Sequence, residues 1–406
     1  MKISQNAKNA IMLGTLCSIA YFAVYIARNI LSAVTPAMIE GGLFTEASIG
    51  TMSSLYFVTY AVGQLINGMI GDRIKAKYMI TCGLILAGVT NFLFPLVAEY
   101  SLGTTVIYGM TGFFLSMIYA PMTKIVSENT EPIHAVRCSL GYTFASFFGS
   151  PAAGLLAAML VWHSVFTVSS IILFVMGAVC ITCFTLYEKK GIITYGKYKP
   201  KEKGVGNIKI LFKHEIVKYS LVSVLTGIVR TSVVFWLPTY IAQYLNFPPE
   251  KAAMIFTVAT LVISLTAFIS QFIYECLGRQ RNKTVLLMFI TSSVFFLLTY
   301  LVHIPFLNIV CIVIAIMASN GAANMLWSVY CPSLRDTGMV SSATGFLDFL
   351  SYMAAATANL VFANAVSAIG WGNLILVWSG VVSLGVIIML PYRAILDKKR
   401  KKSIIE

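Results

Sequence analysis

The stretch IMLGTLCSIAYFAVYIARNILSAVTP, residues 11–36, contains no charged residue other than Arg28. About 20 consecutive apolar residues are enough to cross the hydrocarbon core of a bilayer as a helix, because a helix rises about 1.5 Å per residue. The stretch is therefore predicted to be a membrane-spanning helix. It continues past residue 30 without a small-residue cleavage site, so we do not interpret it as a secretory signal peptide.

The whole chain has the composition of a membrane protein. Its 406 residues are 58% hydrophobic and 11% charged, whereas a soluble domain averages about 25% charged residues. The apolar runs are too long for core strands and lack the alternation of a membrane β-barrel. Helices satisfy every backbone polar group within the segment. We therefore predict an all-α membrane protein.

Polar breaks divide the apolar sequence into twelve candidate transmembrane helices. They are residues 11–36, 49–70, 78–98, 102–123, 138–161, 164–187, 216–241, 252–275, 284–303, 306–329, 341–366 and 372–392. The ninth and tenth are separated only by a weak break around His303 and Pro305. The predicted domains are an N-terminal six-helix bundle (1–187), a basic cytoplasmic linker (188–215) and a C-terminal six-helix bundle with a basic tail (216–406).

The positions of the basic residues support this count. Of the 29 lysine and arginine residues, all except Arg28, Arg230 and Lys251 fall at the termini, in the even-numbered loops or at the helix ends beside them. Cytoplasmic loops carry the excess of lysine and arginine, so both termini are predicted to be cytoplasmic, in the cell (inner) membrane. Contact with the lipid bilayer, whose inner leaflet is anionic, explains the net charge of +14. No nucleic-acid partner is predicted.

The two halves of the chain repeat each other. Arg28 is followed by Pro36 and Arg230 by Pro238, each at a spacing of eight residues, and the same separation of 202 residues joins the two copies. Two similar six-helix halves are typical of carriers that alternate access to a site between the halves, near the bilayer midplane.

The two intramembrane arginines are the leading candidates for substrate binding. An arginine at the bilayer centre costs about 3 kcal/mol on insertion scales, so two at matching depth need a partner. The guanidinium stays charged, and its fork of donors fits phosphate or carboxylate. An internal ion pair or an anchor to backbone carbonyls is the alternative. Asp348 is the only acid deep in a span and cannot neutralise both Arg28 and Arg230, so a small anionic substrate is predicted.

Several polar and aromatic side chains lie at helical spacings near these arginines. About half of them are predicted to line the cavity, although each alone also fits ordinary helix packing. The predicted lining residues are Tyr25, Tyr60, Gln64, Trp236 and Asn324, and the other members of the set are Tyr21, Tyr240, Asn320 and Trp327.

Asp348 has three interpretations. It can pair with an arginine when the site is empty, or carry a proton in a symport cycle, since burial raises the pKa of a carboxylate. It can also form a structural hydrogen bond between helices. The residues alone leave these open.

The segment GMIGDRIKAK, residues 68–77, lies between the second and third spans. In such a short turn an acid can cap a helix and bridge a neighbouring base, which can hold one conformation closed. A generic polar turn with basic anchors is the alternative. The pattern Gly68-x-x-x-Asp72-Arg73-x-x-x-Lys77 resembles the signature of the major facilitator superfamily. The resemblance implies two pseudo-symmetric six-helix bundles, with Gly68, Asp72 and Arg73 as gating residues.

A second resemblance extends over nearly the whole chain. It is carried by YIARN (25–29), RTSVVFWLPTY (230–240), WH (162–163), GW (370–371) and TGF (344–346) with Tyr352. These segments resemble the organophosphate:inorganic phosphate antiporter family, which includes bacterial glycerol-3-phosphate and hexose-phosphate transporters. The resemblance implies that Arg28 and Arg230 bind phosphate, with Tyr25, Tyr60 and Tyr352 lining the site. Inorganic phosphate would be the counter-substrate, exchanged for a phosphate ester as the two halves rock.

The chain departs from that family where positive charge is expected. A histidine in the fifth span is absent, Asn29 and Gln64 stand in place of lysines, and Asp348 replaces a small residue. Another phosphate ester, a phosphonate or a sugar acid is therefore an alternative substrate. Two further functions remain open: proton-coupled symport of an organic anion such as a sugar acid, and a sugar-phosphate sensor that does not transport.

Enzymatic chemistry is not predicted. The sequence contains no nucleophile–base set and no glycine-rich phosphate loop. Its eight cysteines include one CxxC pair, Cys180 and Cys183, without a second pair or nearby histidines, so neither a metal site nor a cofactor is predicted. We expect a monomer.

Overall fold

The computed structural model describes residues 5–71, 74–195, 212, 214–334 and 340–390. Within these ranges the chain is almost entirely helical, with short connections. In chain order the helices are α1 (Gln5–Glu40), α2 (Glu46–Gly71), α3 (Ala76–Leu96), α4 (Ser101–Asn129), α5 (Pro132–Met159), α6 (Trp162–Lys189), α7 (Ile216–Gln243), α8 (Pro249–Cys276), α9 (Arg281–Leu301), α10 (Pro305–Tyr330), and α11 and α12, which are the parts of Val340–Met389 before and after Gly370.

Ten helical stretches in the described ranges are long and apolar enough to cross a membrane. The last of them, 47 residues long, contains two helices, because Gly370 has φ 75° and ψ 167°, a conformation that only glycine adopts readily. Helix α5 is a further candidate with a shorter apolar part, Phe147–Met159. The predicted all-α membrane fold is confirmed, and the twelve helices agree with the twelve predicted spans.

Proline marks the start of α8 and α10, at Pro249 and Pro305. Its fixed φ suits the first turn of a helix, where its missing N–H has no partner in any case. The weak break predicted between the ninth and tenth spans is therefore a true helix boundary: α9 ends at Leu301 and α10 begins at Pro305.

Helices α1–α6 pack together as one half, and α7–α12 pack as the other. The halves meet where α1 contacts α7, α2 contacts α11 and α5 contacts α8. This is the predicted arrangement of two bundles. The exact domain boundaries stay a prediction, because residues 196–211 of the proposed linker lie outside the described ranges.

The halves are joined at the end of the bundle where α1 ends and α2 begins, termed here the closed end. Gln243 Nε2 donates a hydrogen bond to Glu46 Oε1 at 2.7 Å, and Trp371 Nε1 donates to Gln243 Oε1 at 2.9 Å. Nearby, Gly50 lies against the Ala363 side chain, and a Cβ at Gly50 would be 3.0 Å from the Asn359 carbonyl oxygen. A glycine is thus needed for this close approach of the halves.

At the opposite end, termed the open end, described polar contacts stay within each half. Lys75 and Lys77 pair with Glu188 at 2.8 and 2.5 Å in the first half, and the hydrogen bond to Glu188 raises the pKa of Lys75. Arg281 Nη1 donates to Ser333 Oγ at 3.0 Å in the second half. The segments of α7 and α8 that pack on the first half are those nearer the closed end. The space between the halves therefore widens toward the open end.

Candidate functional site

Arg28 lies near the middle of the membrane-spanning bundle, surrounded by aromatic rings. Its guanidinium carbon is 5.4 Å from the ring centre of Tyr25, 5.7 Å from Phe57, 5.0 Å from Tyr60 and 4.9 Å from Tyr352. Each such cation–π contact contributes about 0.5–2 kcal/mol, more where water is excluded. The rings therefore offset part of the cost of holding a charge at this depth.

Helix geometry brings these rings together. Tyr25 precedes Arg28 by three residues on α1, and Phe57 and Tyr60 are three apart on α2, so each pair shares a helix face. Tyr352 comes from α11 in the other half, and Arg28 Nη1 donates a hydrogen bond to its hydroxyl oxygen at 3.0 Å. The aromatic surroundings of Arg28 thus span both halves.

Arg230 occupies the matching position in the second half and is half-buried. It lies in a π-helical turn, Ile228–Val233, inside α7. Such turns insert an extra residue into a helix and are frequent at functional sites. Just before the turn, a Cβ at Gly227 would be 2.6 Å from the carbonyl oxygen of Ser351, so α7 and α11 approach closely here. This packing sets Arg230 beside the helix that carries Tyr352.

Asp348 is the acidic group of this region. It lies one turn before Tyr352 on α11 and interacts electrostatically with Arg230 and, less strongly, with Arg28. Within the described part of the chain, no ion pair of 4.0 Å or less joins its carboxylate to either arginine. Two positive charges and one negative charge therefore share the space between the halves, and the carboxylate is not taken up by a direct ion pair.

The other predicted lining residues are placed less centrally. Gln64 is half-buried one turn beyond Tyr60 on α2. Trp236 is fully buried, and its Nε1 has no hydrogen-bond partner among the described residues. Asn324 Nδ2 donates to Ser270 Oγ at 2.8 Å, so its amide already serves contact between α10 and α8. Among the described residues, the structure brings Tyr60 to Arg28 but shows no hydrogen bond or cation–π contact between Arg28 and these three residues.

The predicted gating motif is only partly described. Gly68 lies in the last turns of α2, while Asp72 and Arg73 lie outside the described residues. Lys77 of the same motif is buried and pairs with Glu188 at the end of α6. The described part of the motif thus joins the first turn of α3 to the end of α6.

Sequence reasoning missed one aromatic residue beside Arg28 and one beside its neighbour Tyr21. Phe57 precedes Tyr60 by three residues, and that helical spacing was a sufficient signal to include it. Tyr119 of α4 has its ring centre 5.5 Å from that of Tyr21. Nothing in the local sequence of α4 indicates this contact, because it depends on how α4 packs against α1.

The sequence pattern of the Major Facilitator Superfamily matches residues 17–359. The chain belongs to this superfamily. The predicted superfamily resemblance is thus confirmed, and the chain is a multi-pass membrane protein of this type. A solved bacterial homolog of the human lysosomal transporter Spinster, in an inward-facing and unoccupied conformation, matches with a TM-score of 0.69 at 14% identity, covering 96% of this chain and 94% of that chain. That match supports the fold.

Two relatives add to the superfamily assignment. The membrane sensor protein UhpC of Salmonella typhimurium is 34% identical over 76 residues, which are 19% of this chain and only 17% of that protein. The phosphoglycerate transporter protein of the same species is 21% identical over 417 residues, covering 95% of this chain and 89% of that protein. Both names belong to membrane transport or sensing rather than to enzymes, which agrees with the prediction that the chain is not an enzyme.

Proposed function

We propose that the chain is a secondary transporter that binds an organophosphate and exchanges it for inorganic phosphate by alternating access. The observation that carries the proposal is the pair Arg28 and Arg230, one in each half, with Tyr352 hydrogen-bonded to Arg28 and Asp348 one turn before Tyr352 on α11. The similarity to a phosphoglycerate transporter over 95% of the chain supports a phosphorylated small anion as the substrate. It also supports the resemblance to the organophosphate antiporter family.

In this proposal the phosphate group is held by both guanidinium groups. Each presents planar N–H donors that fit two phosphate oxygens. The hydroxyl of Tyr352, which now accepts a hydrogen bond from Arg28 at 3.0 Å, is then able to donate one to the phosphate. Tyr25 and Tyr60 form the walls. Gln64, Trp236 and Asn324 remain proposed lining residues for other parts of the substrate.

An anion bound between arginines of opposite halves provides a reason for the halves to move. It attracts both halves toward the centre, which favours closure of the open end. With both termini cytoplasmic, as the basic loops predict, the open end faces the cytoplasm. Gly68 at the end of α2 and Lys77, which pairs with Glu188, lie at that end. Gly68, Asp72 and Arg73 remain the proposed gating residues.

Two alternatives each have one supporting observation. The 34% identity to a membrane sensor over 76 residues favours a receptor that binds a sugar phosphate without transport. Asp348, an acid deep in the membrane-spanning helix α11, favours proton-coupled symport of an organic anion. Exchange requires a counter-substrate inside the vesicle, symport requires a proton gradient, and a sensor produces no flux. One transport assay therefore separates the three functions.

The test is uptake of radiolabelled phosphate by proteoliposomes that contain the purified protein. We expect rapid uptake into vesicles preloaded with unlabelled phosphate and little uptake into empty vesicles, because exchange requires a counter-substrate. Uptake that needs a pH gradient and is abolished by a proton uncoupler would support symport instead. Phosphate binding without flux in loaded vesicles would support the sensor. Either result contradicts the proposed exchange.

A further inference from the structure

Three side chains at the closed end are joined by hydrogen bonds in a row. Glu46 lies in the first turn of α2, Gln243 is the last residue of α7, and Trp371 directly follows the bend at Gly370 between α11 and α12. Gln243 Nε2 donates to Glu46 Oε1 at 2.7 Å, and Trp371 Nε1 donates to Gln243 Oε1 at 2.9 Å. Glu46, Gln243 and Trp371, termed the closed-end latch, thus connect the first half to two helices of the second.

The indole of Trp371 determines which way the amide of Gln243 points. An indole N–H can only donate a hydrogen bond, so the amide turns its oxygen toward Trp371 and its NH2 group toward the first half. That NH2 group can only donate, and an ionised carboxylate can only accept. Glu46 is therefore the complementary partner of Gln243, and the direction of each hydrogen bond in the latch is fixed.

The surrounding backbone holds the latch in place. Gly370 has φ 75° and ψ 167°, a conformation that only glycine adopts readily, and it places Trp371 at the start of α12. Trp371 is 7% exposed, and its ring centre lies 5.6 Å from that of Tyr240 in an edge-on contact. Gly50, one turn after Glu46, lies against α11. The latch therefore joins the halves where their helices approach most closely at this end.

A latch of this kind favours closure without preventing opening. Glu46 and Gln243 are half-buried, so water can bind both groups once the halves separate. The net contribution of a hydrogen bond is much smaller than its strength in isolation, because water replaces the lost partner, and a bond to a charged group contributes more than a neutral one. One charged bond between the halves therefore shifts the balance of two conformations that must interconvert.

We propose that the closed-end latch sets how often the closed end opens. Gln243 makes the bond between the halves, Glu46 supplies the charge, and Trp371 is a positioning residue that orients the amide. The inference uses the two conformations of the proposed alternating access, but it holds for any transported anion. Its test requires neither substrate nor flux, so absence of phosphate exchange would reject the proposed function and leave the latch to be decided separately.

The test measures how fast a cysteine below the latch reacts with a water-soluble maleimide in the purified protein. Ser32→Cys provides the thiol, because Ser32 lies one turn beyond Arg28 toward the closed end, is 3% exposed and donates a hydrogen bond to the Phe235 carbonyl oxygen of the other half. The exposed Cys82 and Cys276 are replaced by serine, and the rate of this protein without Ser32→Cys is subtracted. The thiol reacts only when the halves separate, so the rate follows the open fraction even when that fraction is small.

An exchange of the two polar residues provides the sharpest comparison. In Gln243→Glu two carboxylates face each other, so the labelling rate is expected to rise about tenfold or more, which corresponds to about 1.4 kcal/mol. The double variant Glu46→Gln with Gln243→Glu again places a donor opposite an acceptor, and its rate is expected to return close to that of the parent. Both are measured at about pH 8, where carboxyl groups are ionised. An unchanged rate in Gln243→Glu, or no recovery in the double variant, overturns the inference.

Two further variants test the latch without adding a charge. Gln243→Met keeps the length of the side chain but loses the amide, and Trp371→Phe keeps an aromatic ring beside Tyr240 but loses the N–H that orients the amide. Each is expected to raise the labelling rate, by less than Gln243→Glu because no repulsion is added. The matched control is Gln271→Met, the same change at an exposed position of α8, which is expected to leave the rate unchanged. No rise in Gln243→Met or Trp371→Phe, or an equal rise in the control, overturns the inference.

Discussion

Replacing Arg28 by lysine is expected to reduce phosphate exchange to background while the protein still reaches the membrane. Lysine keeps the charge but loses the planar fork of donors and the stacking on aromatic rings. Each charged hydrogen bond that is lost costs about 1.5–3 kcal/mol, so a bidentate contact accounts for a fall of about 100-fold or more. The same loss is expected for Arg230→Lys, because both guanidinium groups contact one phosphate in the proposed site.

The matched control is Arg137→Lys, the same change at an exposed position of α5. Its exchange rate is expected to stay close to that of the wild type. Rates are normalised to the amount of folded protein in the vesicles. Exchange close to wild type in either Arg28→Lys or Arg230→Lys would exclude that arginine from phosphate binding.

Gly50→Val is expected to prevent full closure of the closed end. A Cβ at Gly50 would collide with the side chain of Ala363 and lie 3.0 Å from the Asn359 carbonyl oxygen, and both atoms belong to the other half. Overpacking of this kind costs about 1–3 kcal/mol, and separation of the halves at this end relieves it. In the proposed alternating-access cycle each turnover passes through the state in which this end is closed, so exchange is also expected to fall strongly.

The distance between spin labels attached at Leu43→Cys and Ile304→Cys measures how far apart the two halves lie at the closed end. Both positions are exposed and lie in loops of opposite halves. The exposed Cys82 and Cys276 are replaced by serine so that they do not take up the label. Longer distances are expected with Gly50→Val. The control is Gly103→Val, where the nearest atom to a Cβ is Tyr100 Cβ at an ordinary 3.4 Å. Unchanged distances in Gly50→Val would show that Gly50 does not set the closure.

The sequence predicts the helices and the pair of arginines because both leave local signals. Apolar runs and basic loops give the twelve spans, and the break at Pro305 is confirmed as the start of α10. A charge inside an apolar run is costly wherever the run packs, so Arg28 and Arg230 are conspicuous from their positions in the chain alone. Tyr25 and Tyr60 follow from helical spacing.

The remaining features depend on contacts between distant parts of the chain. Gln243 lies between Glu46 and Trp371 at the closed end, and no local pattern indicates that these residues meet. The eight-residue spacing from Arg230 to Pro238 also does not indicate that Arg230 lies in a π-helical turn. The amide of Asn324, which stays a predicted lining residue, donates to Ser270 of α8, a partner that helical spacing within α10 does not reveal. Packing between helices decides each of these features.

The central claim is that one arginine from each half holds a single phosphate group. Thermal unfolding of the purified protein in rising concentrations of phosphate, for the wild type, Arg28→Lys and Arg230→Lys, tests it most directly. A ligand that binds only the folded state stabilises it by about 2.7 kcal/mol at one hundred times its Kd. We predict a phosphate-dependent rise in Tm for the wild type that is lost in each single variant. An equal rise in the wild type and in either variant would contradict the claim.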